Sequence, residues 1–144
     1  MDKDSDQDND FKLWVKPLLD AAVSQLMNNN VLGDAKIEAR AVWGITEQVF
    51  IAQVREYGEQ DSFHWLISGI DFPVDEVPGN VAELPRDAAR HFSLKWQLGA
   101  EQVRNMDDET RNRLSPGQDT RAMSERLRLQ AEILYELVED NSIW

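Results

Sequence analysis

Two histidines, a group of carboxylates and a run of arginines are the side chains in this 144-residue sequence whose types could support chemistry. The histidines, His64 and His91, are far apart in sequence, so local spacing builds neither a multi-His metal site nor a His-based relay. His64 sits next to Trp65 in an alternating run, which places the two on opposite faces of a strand and favours a half-buried structural histidine. His91 is the better functional candidate, because helical spacing puts it on one face with Lys95, Leu98 and Gln102, with Arg90 alongside. The plain alternative is a polar seam where that helix packs. Asp71, Asp75 and Glu76 offer hard oxygen ligands, yet their spacing lacks the glycine and the closing bidentate glutamate of a calcium loop. Turn and capping chemistry is the plainer role for them. No phosphate-cradling glycine loop, nucleophile elbow or zinc spacing occurs. The expectation is therefore no catalytic residue, no metal and no cofactor. The candidate ligand- or partner-binding residues are Arg90, His91, Lys95, Asp71, Asp75, Arg126 and Arg128.

The arginines enter through an inverted charge pattern. Arg121, Arg126 and Arg128 stand toward the start of the last helical stretch, preceded by Arg111 and Arg113, while Glu132, Glu136, Glu139 and Asp140 crowd its end. A helix dipole favours the opposite arrangement. Acidic partners from the same fold or a second copy would resolve this. Glu101, Asp107, Asp108, Glu109, Asp71, Asp75 and Glu76 are the candidates, and ordinary solvation of the arginines is the alternative.

The elements that must position these groups follow from periodicity. Residues 1–10, rich in Asp and almost without apolar side chains, read as a disordered acidic tail. Asp10 is a good N-cap for a helix whose stripe is Trp14, Leu18, Ala21, Ala22, Gln25 and Leu26, widened by Val15 and Leu19. Pro17 either kinks that helix or marks its first turn. Asn28, Asn29, Asn30, Gly33 and Asp34 end it. Ile37, Ala39, Ala41 and Trp43 then alternate with charged residues, as in a half-buried strand, and residues 49–57 and 63–68 repeat the rhythm. The loop from Gly58 to Asp61 joins the last two as a hairpin. Residues 69–85, broken by Gly69, Pro73, Pro78, Gly79 and Pro85, read as a long irregular crossover. Pro85 suits the first position of a helix striped by Phe92, Trp96, Gly99, Val103 and Met106. Residues 106–116 read as a polar linker. Gln118 or Asp119 opens a last helix with Met123, Leu127, Ala131, Leu134 and Val138 inward. The order α-β-β-β-α-α gives an α+β fold: an N-terminal helix, a three-stranded antiparallel meander, then two helices, with residues 11–144 as a single domain. The terminal Trp144 is worth its position only if it docks, as an intramolecular clasp or against a second chain.

Composition narrows the function classes. Fifteen Lys and Arg against 27 Asp and Glu give a net charge of −12, which disfavours nucleic acid and anionic membranes as partners. The absence of cysteine fits a cytoplasmic protein. No basic, apolar leader and no run of ~18 apolar residues is present, so secretion and membrane spanning are not expected.

Trp43, the Trp65-Leu66-Ile67-Ser68-Gly69 stretch followed by Pro73 and Asp75, the Arg90-His91-Phe92-Ser93-Leu94-Lys95-Trp96 run, and Leu134-Tyr135 with Trp144 form a recognisable set. Together they resemble an uncharacterised gamma-proteobacterial family of short acidic proteins, a domain of unknown function. The resemblance implies a bacterial cytoplasmic protein and brings no activity, cofactor or partner with it. The expected function is a small protein-binding or regulatory module without catalysis, monomeric or homodimeric, with another protein as partner. The alternatives are an immunity- or inhibitor-type protein capping a basic enzyme, and an enzyme or small-ligand binder with a pocket near His91.

Overall fold

A computed structural model describes residues 3–29, 36–58, 62–114, 116–117 and 119–144. The chain divides into two compact units, Met1–Pro85 and Arg86–Trp144. The first holds a helix, α1 (Lys3–Asn28), and a four-stranded antiparallel sheet in the order β1 (Ile37–Ile45), β2 (Val49–Glu56), β3 (His64–Gly69) and β4 (Phe72–Pro78), followed by a 3-10 turn at Gly79–Val81. The second holds α2 (Pro85–Asn105), α3 (Asp108–Leu114) and α4 (Thr120–Glu139). The fold is α+β, with one strand and one helix more than the α-β-β-β-α-α reading.

α1 begins at Lys3, so residues 3–10 are helical backbone rather than a loose tail, and Asp10 lies inside the helix instead of capping it. Aspartates suit the positive end of a helix dipole, which is why the same residues that look solvated also start a helix well. Pro17 sits within the helix. It and Leu13, whose carbonyl loses its usual intrahelical donor, are both exposed, so the break lies on the outer side of the helix rather than in the core. The buried stripe is Val15, Leu19, Ala22 and Leu26, one residue round from the expected line; Ala21 and Gln25 face outward. This stripe packs on Phe50, Ala52, Val54 and Leu66 of the sheet, with Phe11, Trp14, Leu18, Ile37 and Ala41 around it. Each fully buried large apolar side chain contributes about 1.5–3 kcal/mol here. Asn30, Gly33 and Asp34, and the loop residues Glu59, Gln60 and Asp61, lie outside the described residues.

β2 and β3 are buried on both faces: Val49, Ile51, Trp65 and Ile67 are as inaccessible as the residues under α1. Trp65 is placed by its indole N–H, which donates to the carbonyls of Gly79 (3.2 Å) and Ala82 (3.1 Å), and by the edge of Phe63 at 5.1 Å. The expected irregular crossover contains β4. A tight turn at Ile70 and Asp71 reverses the chain, with Asp71 at φ 63°, a left-handed conformation that Asp tolerates. Pro73 and Pro78 fit there because β4 is an outer strand, where a missing N–H toward solvent leaves no partner unsatisfied.

In the second unit, Ser93 Oγ donates to the Ala131 carbonyl (2.8 Å) and Ser124 Oγ to the Ala100 carbonyl (2.7 Å), tying α2 to α4 through small residues. Phe92, Trp96, Ala131, Leu134 and Val138 are buried, whereas Met123, expected inward, is exposed. The expected polar linker contains α3, capped by Asp107, whose carboxylate accepts the Thr110 N–H (2.6 Å). Asp119 caps α4 by accepting from Ala122 N–H, and Gln118 lies outside the described residues. Trp144 folds back so that its indole N–H donates to the Leu137 carbonyl (2.8 Å): the terminal residue is an intramolecular clasp.

Candidate functional site

A cavity of about 810 Å³ in the first unit runs between α1 and β1. Its apolar floor comes from Phe11, Val15, Leu19 and Ala41, and its rim carries Lys12, Lys16, Asp20 and Arg40. Phe11 closes one wall by lying over Gly44, where a Cβ would come within 2.6 Å of the ring Cζ and 2.9 Å of the Val49 carbonyl.

Beside this groove the sheet ends. Among the described residues β1 pairs with β2 alone. Tyr57 N–H donates to the Lys36 carbonyl (2.7 Å). In an antiparallel ladder hydrogen-bonded pairs alternate with non-bonded ones, so Glu38 and Arg40 turn their backbone groups toward β2. Ile37, Ala39 and Ala41 turn their N–H and C=O groups outward. The ladder slips between Ala41 and Trp43, a bulge that brings Trp43 opposite Ile51 rather than into line with Ala41. The regular part of the free edge is therefore residues 37–41, with Ala39 and Arg40 exposed at its middle. The other edge is less open, because Pro78 pairs with His64 at a position whose backbone faces outward and has no N–H to offer.

The candidate residues from sequence fall in both units. Asp71 forms the β3–β4 turn, and Asp75, on β4, accepts the N–H of Glu76 (2.8 Å). His64 lies 2.6 Å from the Glu76 carboxylate through Nδ1, a part-exposed contact between β3 and β4. In α2, Arg90 is engaged with Asp87 (2.7 Å), His91 is half-buried, and Lys95 is exposed. Arg126 is exposed on α4. Arg128 pairs with Glu125 and Glu132 of its own helix (both 2.5 Å) rather than with the upstream carboxylates. These hydrogen bonds and charges hold its guanidinium well above the usual range and draw Glu125 below its own. Arg121 does approach an expected acid, Asp108, at 3.9 Å between exposed groups. A second groove, about 280 Å³ between α2 and α4, is lined by Arg104, Arg128, Glu101, Glu125 and Glu132, so its charges are largely met internally. Arg90, His91 and Lys95 line neither groove. Among the described residues no group of three or more His, Cys, Asp or Glu is placed to hold a metal ion.

Sequence reasoning missed Arg86. Its guanidinium donates to the Val138 carbonyl (2.8 Å) and to Asn141 (2.6 Å), placing a cation at the acidic C-terminus of α4. With the Trp144 bond it satisfies carbonyls that a helix end otherwise leaves open. Asp140, held below its usual range first by its bonds from Ser142, feels the same arginine.

Residues 8–144 match the family described as a domain of unknown function (DUF4826), and the chain belongs to that family. No curated protein and no solved structure matches it. No helix among the described residues is long and apolar enough to cross a membrane.

Proposed function

We propose that the protein is a cytoplasmic binding module that receives an extended segment of a partner protein along β1, by adding a strand to the sheet. The observation that carries this reading is the run of residues 37–41, unpaired on its outer side among the described residues, with outward N–H and C=O groups beside a groove of about 810 Å³ that has an apolar floor and a charged rim. Backbone hydrogen bonds supply affinity in such a complex, and side-chain pockets on alternate residues supply selectivity. An edge of this kind is normally blunted or covered, because it pairs readily with another chain. The test is a photo-crosslinking side chain at position 39 in the living host, with position 57 as control, since Tyr57 is 64% exposed and lies off the groove. A discrete adduct at 39 and none at 57 is expected. No adduct at 39, or equal labelling at both sites, overturns the reading.

A second reading rests on the net charge of −12: an immunity- or inhibitor-type protein whose acidic surface captures a basic enzyme. Its association would weaken steeply as salt rises, whereas strand addition, carried by backbone bonds, would weaken little.

A further inference from the structure

We propose that the partner seated on β1 is a second copy of this chain, paired antiparallel about a two-fold axis that passes midway between the two Ala39 residues. This rests on the reading of β1 as the contact edge and names its occupant. The regular run 37–41 has Ala39 at its centre, with Glu38 and Arg40 on either side. Pairing the run with itself sets Ala39 opposite Ala39 of the second copy and Glu38 opposite Arg40 on both sides of the axis. The backbone parity agrees. Ile37, Ala39 and Ala41 face outward, so Ala39 meets its counterpart as a hydrogen-bonded pair exchanging both bonds, and Ile37 meets Ala41 in the same way. Glu38 and Arg40 then fall at non-bonded pairs, where opposing side chains come closest and opposite charges are favourable.

The side chains suit this register. Arg40 is exposed, and Glu38 already reaches Arg55 at 3.0 Å, so an incoming Arg40 would complete a carboxylate with a cation on each side. On the groove side the second copy brings Ile37 toward Ala41, extending the apolar floor formed by Val15 and Leu19. A two-fold interface of this type is isologous, and only a self-complementary sequence satisfies both halves at once. The bulge after Ala41 ends the pairing and limits it to one short ladder, as a closed dimer needs.

The closing experiment uses the full chain in about 0.15 M salt, where a Debye length of about 8 Å screens the general repulsion between acidic copies. Light scattering after size exclusion is expected to give twice the 16.6 kDa chain mass. Arg40→Glu and Glu38→Arg each set like charges opposite one another twice, and each should weaken self-association at least tenfold. An equimolar mixture of the two restores complementary pairs and should recover the dimer as a heterodimer. Because the chain has no cysteine, Ala39→Cys introduces a single thiol. Its Cα would lie ~5.5 Å from its counterpart, within disulfide range, so mild oxidation should link the copies. Unchanged circular dichroism in each variant separates lost pairing from lost folding. A monomer at 0.1 mM, or a dimer indifferent to both charge reversals and not restored by mixing, overturns the self-pairing. An adduct at position 39 to a different protein, alongside a monomeric chain, overturns self-pairing while leaving the contact edge standing.

Discussion

Trp65→Phe tests how the first unit holds its edge in place. Trp65 is fully buried, and its N–H is shared between two carbonyls at 3.1 and 3.2 Å, both longer than the usual 2.9–3.0 Å for such bonds. Shared and slightly long, they count as about one ordinary bond, a net contribution of ~1 kcal/mol. Replacing indole by phenyl also removes buried carbon and opens a space that the 3-10 turn cannot fill, adding about 1–2 kcal/mol. The expected loss is about 2–3 kcal/mol, a fall in Tm of roughly 10 °C for a chain of this size. Urea unfolding followed by far-ultraviolet circular dichroism reads the change in midpoint, with an unchanged slope showing that the folded and unfolded states keep their character. Trp65→Leu should lose more, because it also gives up the edge contact with Phe63. A loss below about 0.5 kcal/mol for Trp65→Phe would refute the reasoning, since neither the bonds nor the packing would then matter.

Three further outcomes are expected. Gly69→Ala should cost more than about 2 kcal/mol, because a Cβ there overlaps the Gln48 carbonyl and lies 2.7 Å from Val49 Cα, both backbone; calorimetry of the purified variant checks it. Asp107 is held below 3.8 by its bonds from Thr110, so the α3 cap is complete above that value and is lost as pH falls through the lowered one; the Thr110 amide resonance should titrate with a midpoint below 3.8, and a higher midpoint would contradict the cap. Arg128→Glu should reduce the helicity of α4 in low salt by breaking its bonds to Glu125 and Glu132, whereas Arg126→Glu should not, and 0.5 M salt should largely erase the difference in circular dichroism.

Much of this architecture is legible in the sequence because it follows period. β1, β2 and β3 show up as alternation, and α2 and α4 as stripes of buried residues that mostly match. β4 is hidden by Pro73 and Pro78, which read as breaks unless the strand is known to be outermost. α3 is short and polar, without an apolar stripe, and its only signal is Asp107 placed three residues before Thr110. Trp43 leaves the expected face because a bulge depends on pairing with β2, which no single run of residues reveals. The inverted charges of α4 look like a site in sequence, yet Arg86, 52 residues before Val138, and neighbours on the helix itself resolve them. The groove depends on how α1 lies across the sheet. Glu38-Ala39-Arg40 is visible as alternation in the sequence, but it gains meaning only from the strand order, in which β1 lies at the edge of the sheet.

Amide hydrogen exchange along β1 tests the central claim most directly. In the isolated chain the Glu38 and Arg40 amides are bonded to β2, while those of Ile37, Ala39 and Ala41 face outward. Exchange measured by nuclear magnetic resonance on a dilute and a concentrated sample should show Glu38 and Arg40 protected in both. Ile37, Ala39 and Ala41 should become protected only on concentration. Equal, rapid exchange of these three amides at both concentrations, with the crosslinking site at position 39 also silent in the host, would contradict the claim that β1 is where this protein meets its partner.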